Sequence, residues 1–338
     1  MQGVALAQDE FNREGGLSNR LLKIVIAKDN DDPKQAKEVA QELVKDRNLI
    51  GVIGHVTSAA SKEALPEYNK ARLAMISPTS TSTALRGGVF FRATPSDRIT
   101  GEKLAEYAIK KNLKRVVIFY KNDAYGISLR NAFKNSFTRQ GGKIVREPMD
   151  LMKLQSDESR LVKDILLKDK ADAAVFCTNT EVYDVVEKIV QAQNTIPNLQ
   201  KRLKLLAGNG LYGDKMLQQS FEGLILAVPW FEKEENGKDK EFTIKASRRW
   251  SRPIGWDTAA SYDATQAFIK AMSMSNTPDR ETVLKTLKSV SLTPNETAKD
   301  ELNFSEPEWN PKLEIIQVVR GDHCPQSQNL CFERVKEK

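Results

Sequence analysis

Three rows of residues in this chain of 338 have types and spacings suited to chemistry. The first is Gly208-Asn209-Gly210-Leu211-Tyr212-Gly213, a G-x-G-x-x-G series after an apolar run. In dinucleotide-dependent enzymes such glycines let the backbone approach a pyrophosphate at a helix N-terminus, and Glu232 falls near where a ribose-binding acid would sit. Against an enzyme, the stretch between Gly213 and Gly223 is short and the motif lies deep in the chain, so a turn with two glycines is the ordinary explanation. The other two rows are hydroxyls: Thr57-Ser58-Ala59-Ala60-Ser61 after His55, and Ser77-Pro78-Thr79-Ser80-Thr81-Ser82-Thr83. Hydroxyls at a helix start cap its free N–H groups, and the same groups can hold a carboxylate. One such row means capping; two at consecutive strand ends of one sheet face the same crevice.

Other catalytic constellations are missing. There are two histidines, His55 and His323, no Cys/His spacing that would hold a metal, no G-x-S-x-G elbow and no phosphate loop. His55 reads as the residue that orients the loop before Ser58. No catalytic residues, cofactor or metal are expected.

The elements that must position these rows follow from apolar periodicity. Leu22-Lys23-Ile24-Val25-Ile26 reads as a strand, followed by a helix from Pro33 with Ala36, Val39, Ala40, Leu43 and Val44 on one stripe. Further strands are expected at Leu49–Gly54, Ala74–Pro78, Arg115–Tyr120, Ala173–Cys177, Lys204–Ala207, Gly223–Trp230 and Leu313–Val319. A polar loop is expected at Phe231–Lys240, and helices at Asp257–Ser275 and Asp279–Leu292. Near-continuous apolar strands alternating with helices imply α/β architecture with parallel sheets covered on both faces. Two such series suggest two doubly wound lobes, 1–113 plus 230–312 and 114–229 plus 313–338.

In open α/β sheets ligands bind beyond the carboxyl ends of the strands. In the second series those ends carry Lys121-Asn122-Asp123-Ala124-Tyr125-Gly126, Thr178-Asn179-Thr180-Glu181 and Gly208-Asn209-Gly210. Tyr125 either stacks on a ligand across the crevice mouth or packs on its own lobe.

Composition bounds the partners. The chain is 40% hydrophobic and 29% charged with a net charge of +7, but its lysines and arginines alternate with acids. Such scattered charge forms a solvated face, so no nucleic-acid partner is expected. No apolar run is long enough to span a membrane, and no signal peptide is legible. Cys324 and Cys331 enclose a short loop and either form a disulfide or remain free thiols, while Cys177 reads as a buried small hydrophobe.

The stretches Gly54–Ser61, Met75–Thr81, Phe91-Arg92-Ala93-Thr94-Pro95-Ser96-Asp97 and Asp123–Gly126 resemble leucine/isoleucine/valine-binding proteins of ABC importers. Gly3–Gly16 is similar to that family's first helix and Ser261-Tyr262-Asp263-Ala264 to its late helix, so the resemblance runs along nearly the whole chain. It implies a type I periplasmic-binding fold, with two lobes joined by three crossovers that close on a small polar ligand, an amino acid. It also implies an extracytoplasmic monomer that works with membrane permease subunits; a sensor domain for an amide or other small polar solute is the alternative. By position, Ser58, Ser80 and Thr81 would hold the ligand's carboxylate and ammonium, Tyr125 would close over it, and Thr178 and Asn209 would lie on the second lobe's face. The sequence departs from the family twice. The strand that normally precedes the first helix is not in it, and Asn209 stands where branched-chain binders usually place an acid, with Asp123 or Glu181 as substitutes.

Overall fold

A computed structural model of the chain describes every residue except 155–156, 194–195, 197–201, 232–236, 252–253, 276, 299, 307–308, 310, 325–328 and 337–338. It divides into two compact units, Met1–Ser96 with Pro229–Lys312, and Asp97–Val228 with Leu313–Lys338. The chain therefore passes from one unit to the other three times.

The first unit opens with α1 (Gln2–Arg13), α2 (Pro33–Leu43), β1 (Gly51–Ile53), α3 (Ser58–Ala71), β2 (Ala74–Ser77) and β3 (Phe90–Arg92). The second continues with α4 (Asp97–Lys110), β4 (Arg115–Tyr120), α5 (Ala124–Arg139), β5 (Lys143–Ile144), β6 (Met149–Asp150), α6 (Glu158–Leu167), β7 (Ala173–Cys177), α7 (Tyr183–Ala192), β8 (Lys204–Gly208) and β9 (Ile225–Val228). Back in the first unit come α8 (Gly237–Trp250), α9 (Trp256–Ser273), α10 (Arg280–Leu287), β10 (Ser291–Leu292) and β11 (Leu302–Asn303). The hairpin β12 (Glu314–Arg320) and β13 (Leu330–Arg334) completes the second unit.

Local sequence explains the helix starts. Pro33 opens α2 where its missing N–H costs nothing, and Asp32 accepts from the Gln35 N–H at 2.8 Å. Asp123 and Asp279 cap α5 and α10 in the same way, accepting from Gly126 and Thr282.

In the first unit β1, β2 and β3 form a parallel sheet in that order, and the core beside it includes Tyr68, Met75, Ile76, Phe268 and Leu284. The second unit's sheet runs β13-β12-β9-β8-β7-β4-β5, with β6 also on β4. Its central strands are parallel, whereas β12 lies antiparallel on β9 and β13 antiparallel on β12. Phe119 and Phe176 stack from neighbouring strands at 5.3 Å between ring centroids. The fold is thus α/β, with two units each built around parallel strands.

Four expectations need correction. Leu22–Ile26 is not a strand: Leu22 is held by side chains of α1, its N–H donating to the Asn12 Oδ1 and its carbonyl accepting from Gln8 and Asn12. Val25 and Ile26 beyond it are 53% and 74% exposed. An apolar run becomes a strand only beside a partner for its backbone, and among the described residues β1 pairs with β2 alone. The first boundary falls at 96/97, not 113/114, because α4 buries Leu104, Ala105 and Ala108 against Phe133, Phe137 and Val116. A Cβ on Gly101 would come within 2.6 Å of the Phe133 nitrogen, so α4 and α5 approach at backbone distance. The second boundary falls at 228/229, one residue before the expected limit, where β9 ends at Val228. Finally, helix α8 already begins at Gly237, inside the stretch read as a loop.

Candidate functional site

The carboxyl ends of β1 and β2 lie abreast, with Ile53 opposite Ile76, so the two hydroxyl rows that follow are neighbours. Hydrogen bonds then join them around one acceptor, the His55 carbonyl. Ser77 Oγ donates to it at 2.9 Å and Ser80 Oγ at 3.1 Å, while Ser61 Oγ lies 2.7 Å from Ser80 Oγ. Ser58 Oγ accepts from the Ser82 N–H at 3.2 Å, and Thr79 Oγ1 donates to the Val56 carbonyl at 2.7 Å. Arg92, at the end of β3, donates to the carbonyls of Ser82 and Leu85 at 2.9 Å and of Thr81 at 3.4 Å. The second row is therefore pinned from both sides.

His55 orients this loop, and the geometry shows how. The ring is buried, with Nδ1 against the Asp29 carboxylate and Nε2 3.0 Å from the Tyr68 hydroxyl. With Nδ1–H given to the carboxylate, Nε2 is left to accept from Tyr68 O–H. Burial, helped by Asp29, pushes the Tyr68 hydroxyl above its ordinary range, so it keeps its proton and remains a donor.

The expected residues of this unit differ in what they have left to offer. A hydroxyl has one proton and two lone pairs. Ser80 spends its proton on His55 within the network. Ser58 uses a lone pair for Ser82 and keeps its proton. Thr81 is 2% exposed, and its side chain makes no hydrogen bond among the described residues.

In the second unit β4, β7 and β8 also end level, with Tyr120 opposite Cys177 and Phe176 opposite Ala207. Lys121, Thr178 and Asn209 follow these ends. Lys121 pairs with Glu181 and lies 3.3 Å from Asp123 Oδ2, so both acids weighed as substitutes for a charged group at 209 already share a cation. Partial burial works against the Lys121 charge, but the pairing with Glu181 and Asp123 outweighs it and holds the ammonium above its usual value. Thr178 is buried, and its hydroxyl reaches only the Asn179 carbonyl at 3.5 Å. Asn209 is 6% exposed, and its amide has no hydrogen bond among the described residues.

Tyr125 lies largely enclosed in its own unit, its hydroxyl accepting from the Gly210 N–H at 3.1 Å. Burial, with Asp97 next, pushes that hydroxyl well above its ordinary value. The ring explains the glycine series. A Cβ on Gly208 would meet Tyr125 Oη at 2.7 Å, and one on Gly210 would meet the ring at 2.7 Å and the Thr178 carbonyl at 2.6 Å. After Gly208 come short 3-10 turns at Asn209–Leu211 and Asp214–Met216, and no helix offers its N-terminus to a pyrophosphate. Glu232 lies outside the described residues.

Cys324 and Cys331 form a disulfide across the turn of the β12–β13 hairpin, and Cys177 is free and buried. No helix among the described residues is long and apolar enough to cross a membrane. Sequence reasoning did not single out Ser61, Arg92 and Asp29 as builders of the site; only the arginine's place at a strand end hinted at its use.

Residues 1–308 match the family described as periplasmic binding protein. An amino acid binding protein of Pseudomonas aeruginosa is 31% identical over 148 residues, 43% of this chain and 40% of that protein. A Leu/Ile/Val-binding protein of Escherichia coli is 31% identical over 147 residues, 42% of this chain and 40% of that one. The match thus spans about 40% of the length of these curated relatives. Among solved structures, an ABC transporter substrate-binding protein of Desulfitobacterium hafniense in complex with leucine superposes with a TM-score of 0.80 at 23% identity, covering 99% of this chain and 94% of that one. A protein from Rhodopseudomonas palustris in complex with 3,4-dihydroxybenzoic acid reaches 0.78 at 17% identity, over 95% and 89% of the two chains. The architecture therefore holds chemically different ligands.

Proposed function

Since the chain belongs to the periplasmic binding protein family, we propose that it is the solute-binding component of an ABC importer and that its ligand is an amino acid. It acts outside the cytoplasm as a monomer, hands its ligand to membrane permease subunits and performs no chemistry on it. The observation that carries this reading is the unspent hydrogen-bonding capacity at the strand ends: Thr81 and Ser58 in the first unit, and Asn209 and Thr178 in the second.

A carboxylate needs donors, and the Thr81 and Ser58 protons supply them on a loop held rigid by His55 and Arg92. Ser80 shapes that loop. An ammonium needs acceptors, which the carbonyl of Asn209 and the hydroxyl of Thr178 provide without charge. Charge-assisted bonds to a carboxylate are about twice as strong as neutral ones, so ammonium recognition here leans on geometry. Relatives named for leucine, isoleucine and valine make those side chains the first to test.

Isothermal titration against the twenty amino acids tests the proposal. Saturable heat is expected with one or more of leucine, isoleucine and valine. Thr81→Ala is expected to weaken binding about tenfold, the worth of one hydrogen bond to a charged group. Absence of heat with every amino acid, or a Thr81→Ala protein that binds as well as the original, overturns it.

A further inference from the structure

Two asparagines of this chain have a hydroxyl residue two positions on with no proline between, Asn295-Glu296-Thr297 and Asn303-Phe304-Ser305. Outside the cytoplasm that pattern marks acceptors for N-linked sugars. Both lie in the first unit, and their surroundings differ. Thr297 is 8% exposed, and its hydroxyl donates inward to the Asp300 carbonyl at 2.6 Å. An enzyme would find that hydroxyl covered and its proton spent.

Around Asn303 the side chains alternate. Leu302 is buried and Phe304 packs on Phe91 at 5.1 Å between ring centroids, whereas Glu301 and Ser305 are exposed. In an extended strand this alternation puts Glu301 and Asn303 on one face, and the two inward anchors turn that face to solvent. Strand β11 ends at Asn303 and the chain bends over the next three residues. In the bend Asn303 Oδ1 accepts from the Ser305 N–H at 3.0 Å and from its hydroxyl at 2.6 Å, which brings the hydroxyl beside the amide. Asn303 Nδ2 donates only a long bond, 3.3 Å to exposed Glu306, among the described residues. Ser291, opposite Asn303 on β10, is exposed as well, so bulk added there has room. We infer that Asn303 is a site of N-linked glycosylation, with Glu301 and Ser305 as the groups a transferase reads.

The co-substrate is a polyprenyl pyrophosphate that carries an oligosaccharide. Asn303 Nδ2 attacks C1 of the first sugar. The C1–N bond forms as the C1–O bond to the pyrophosphate breaks, the pyrophosphate leaves with the electron pair, and a proton passes from Nδ2 to a base of the transferase. A membrane enzyme must therefore reach the amide, and an exposed bend at a strand end allows that. The carboxylate two residues ahead offers the enzyme a charged handle, and charge-assisted bonds are the stronger kind. Asn295 has Thr293 at the corresponding place. This inference needs the extracytoplasmic location proposed above but not the identity of the ligand.

The test is transfer in vitro to the purified folded chain by a bacterial oligosaccharyl transferase supplied with a polyprenyl-pyrophosphate-linked oligosaccharide. Intact-mass spectrometry and peptide mapping read the result. One glycan is expected, on Asn303, and none on Asn295. Glu301→Gln should slow transfer at least about tenfold, the worth of one bond to a charged group. Ser305→Ala should abolish transfer and Ser305→Thr should keep it. Glu301 and Ser305 are exposed, so these variants are expected to fold, and far-UV circular dichroism checks that they do. An unmodified chain, a glycan on Asn295 instead, or transfer unaffected by Glu301→Gln overturns the inference. An amino-acid titration without heat leaves this outcome untouched, so the two readings are tested apart.

Discussion

Leu22-Lys23-Ile24-Val25-Ile26 in the first unit and Arg115–Tyr120 in the second read alike as sequence, yet only the second is a strand. Arg115–Tyr120 sits between β7 and the pair β5 and β6, with Val116, Val117, Ile118 and Phe119 fully buried. Leu22–Ile26 has no strand beside it, and its apolar side chains at 25 and 26 face solvent. A milder version holds at one strand of the first sheet: every residue of β7 and β9 is buried, whereas all three of β1 are only partly so. Apolar β-branched sequence is thus a capacity for pairing, and burial follows from the neighbours that are present.

The largest test of this contrast is a pair of substitutions. Phe176→Ala removes a fully enclosed ring that stacks on Phe119 and is expected to cost about 3–5 kcal/mol in urea unfolding. Ile26→Ser should change stability by no more than about 0.5 kcal/mol, as exposed positions do. A loss above about 1 kcal/mol at Ile26 would mean the segment is covered, and the comparison would break.

Next in size is the hairpin that closes the second unit. The Cys324–Cys331 bridge spans a sequence separation of 7, and the entropy of so short a loop puts its contribution near 2 kcal/mol. Cys331→Ser should lower the unfolding free energy by that amount in urea titrations, and a dithiol reductant should do the same to the original protein but nothing further to the variant.

The smallest effects separate the units by pH. In the first, the Glu296 carboxyl lies below its ordinary value because it accepts from the Thr293 N–H and then from Lys270. Its stabilisation is complete above the unfolded value of about 4.3 and disappears as pH falls through the lower folded one. In the second, the raised Lys121 stabilises fully below about 10.4 and its contribution is lost as pH rises through the folded value. Both pairs are partly exposed, so each is expected to contribute under about 1 kcal/mol. Urea midpoints across pH should show Glu296→Gln flattening the acid limb and Lys121→Met the alkaline limb; the reverse assignment would refute this division.

Much of the architecture was legible because periodicity and capping are local. The strands around Val117, Val175 and Leu206, and the helix start at Pro33, follow from residues within a few positions of one another. The hydroxyl rows were legible as rows. Which hydroxyl has a proton to spare was not, since that depends on the His55 carbonyl, three serines and Arg92 meeting from separate strands. Tyr125 shows the same limit: its alternatives stood open until Gly208 and Gly210, more than eighty residues away, were found pressed against its ring.

By itself, then, the order of residues determined the type of most elements, the helix entry at Pro33, the α/β class and the late return of the chain to its first unit. These rest on short-range backbone preference and on which side chains avoid water. Tertiary structure alone decided that Leu22–Ile26 stays unpaired, that α4 belongs to the second unit, and that Thr297 is covered while Ser305 is exposed. Pairing, burial and charge neighbourhood are relations between distant segments, and such relations exist only once the chain has brought those segments together.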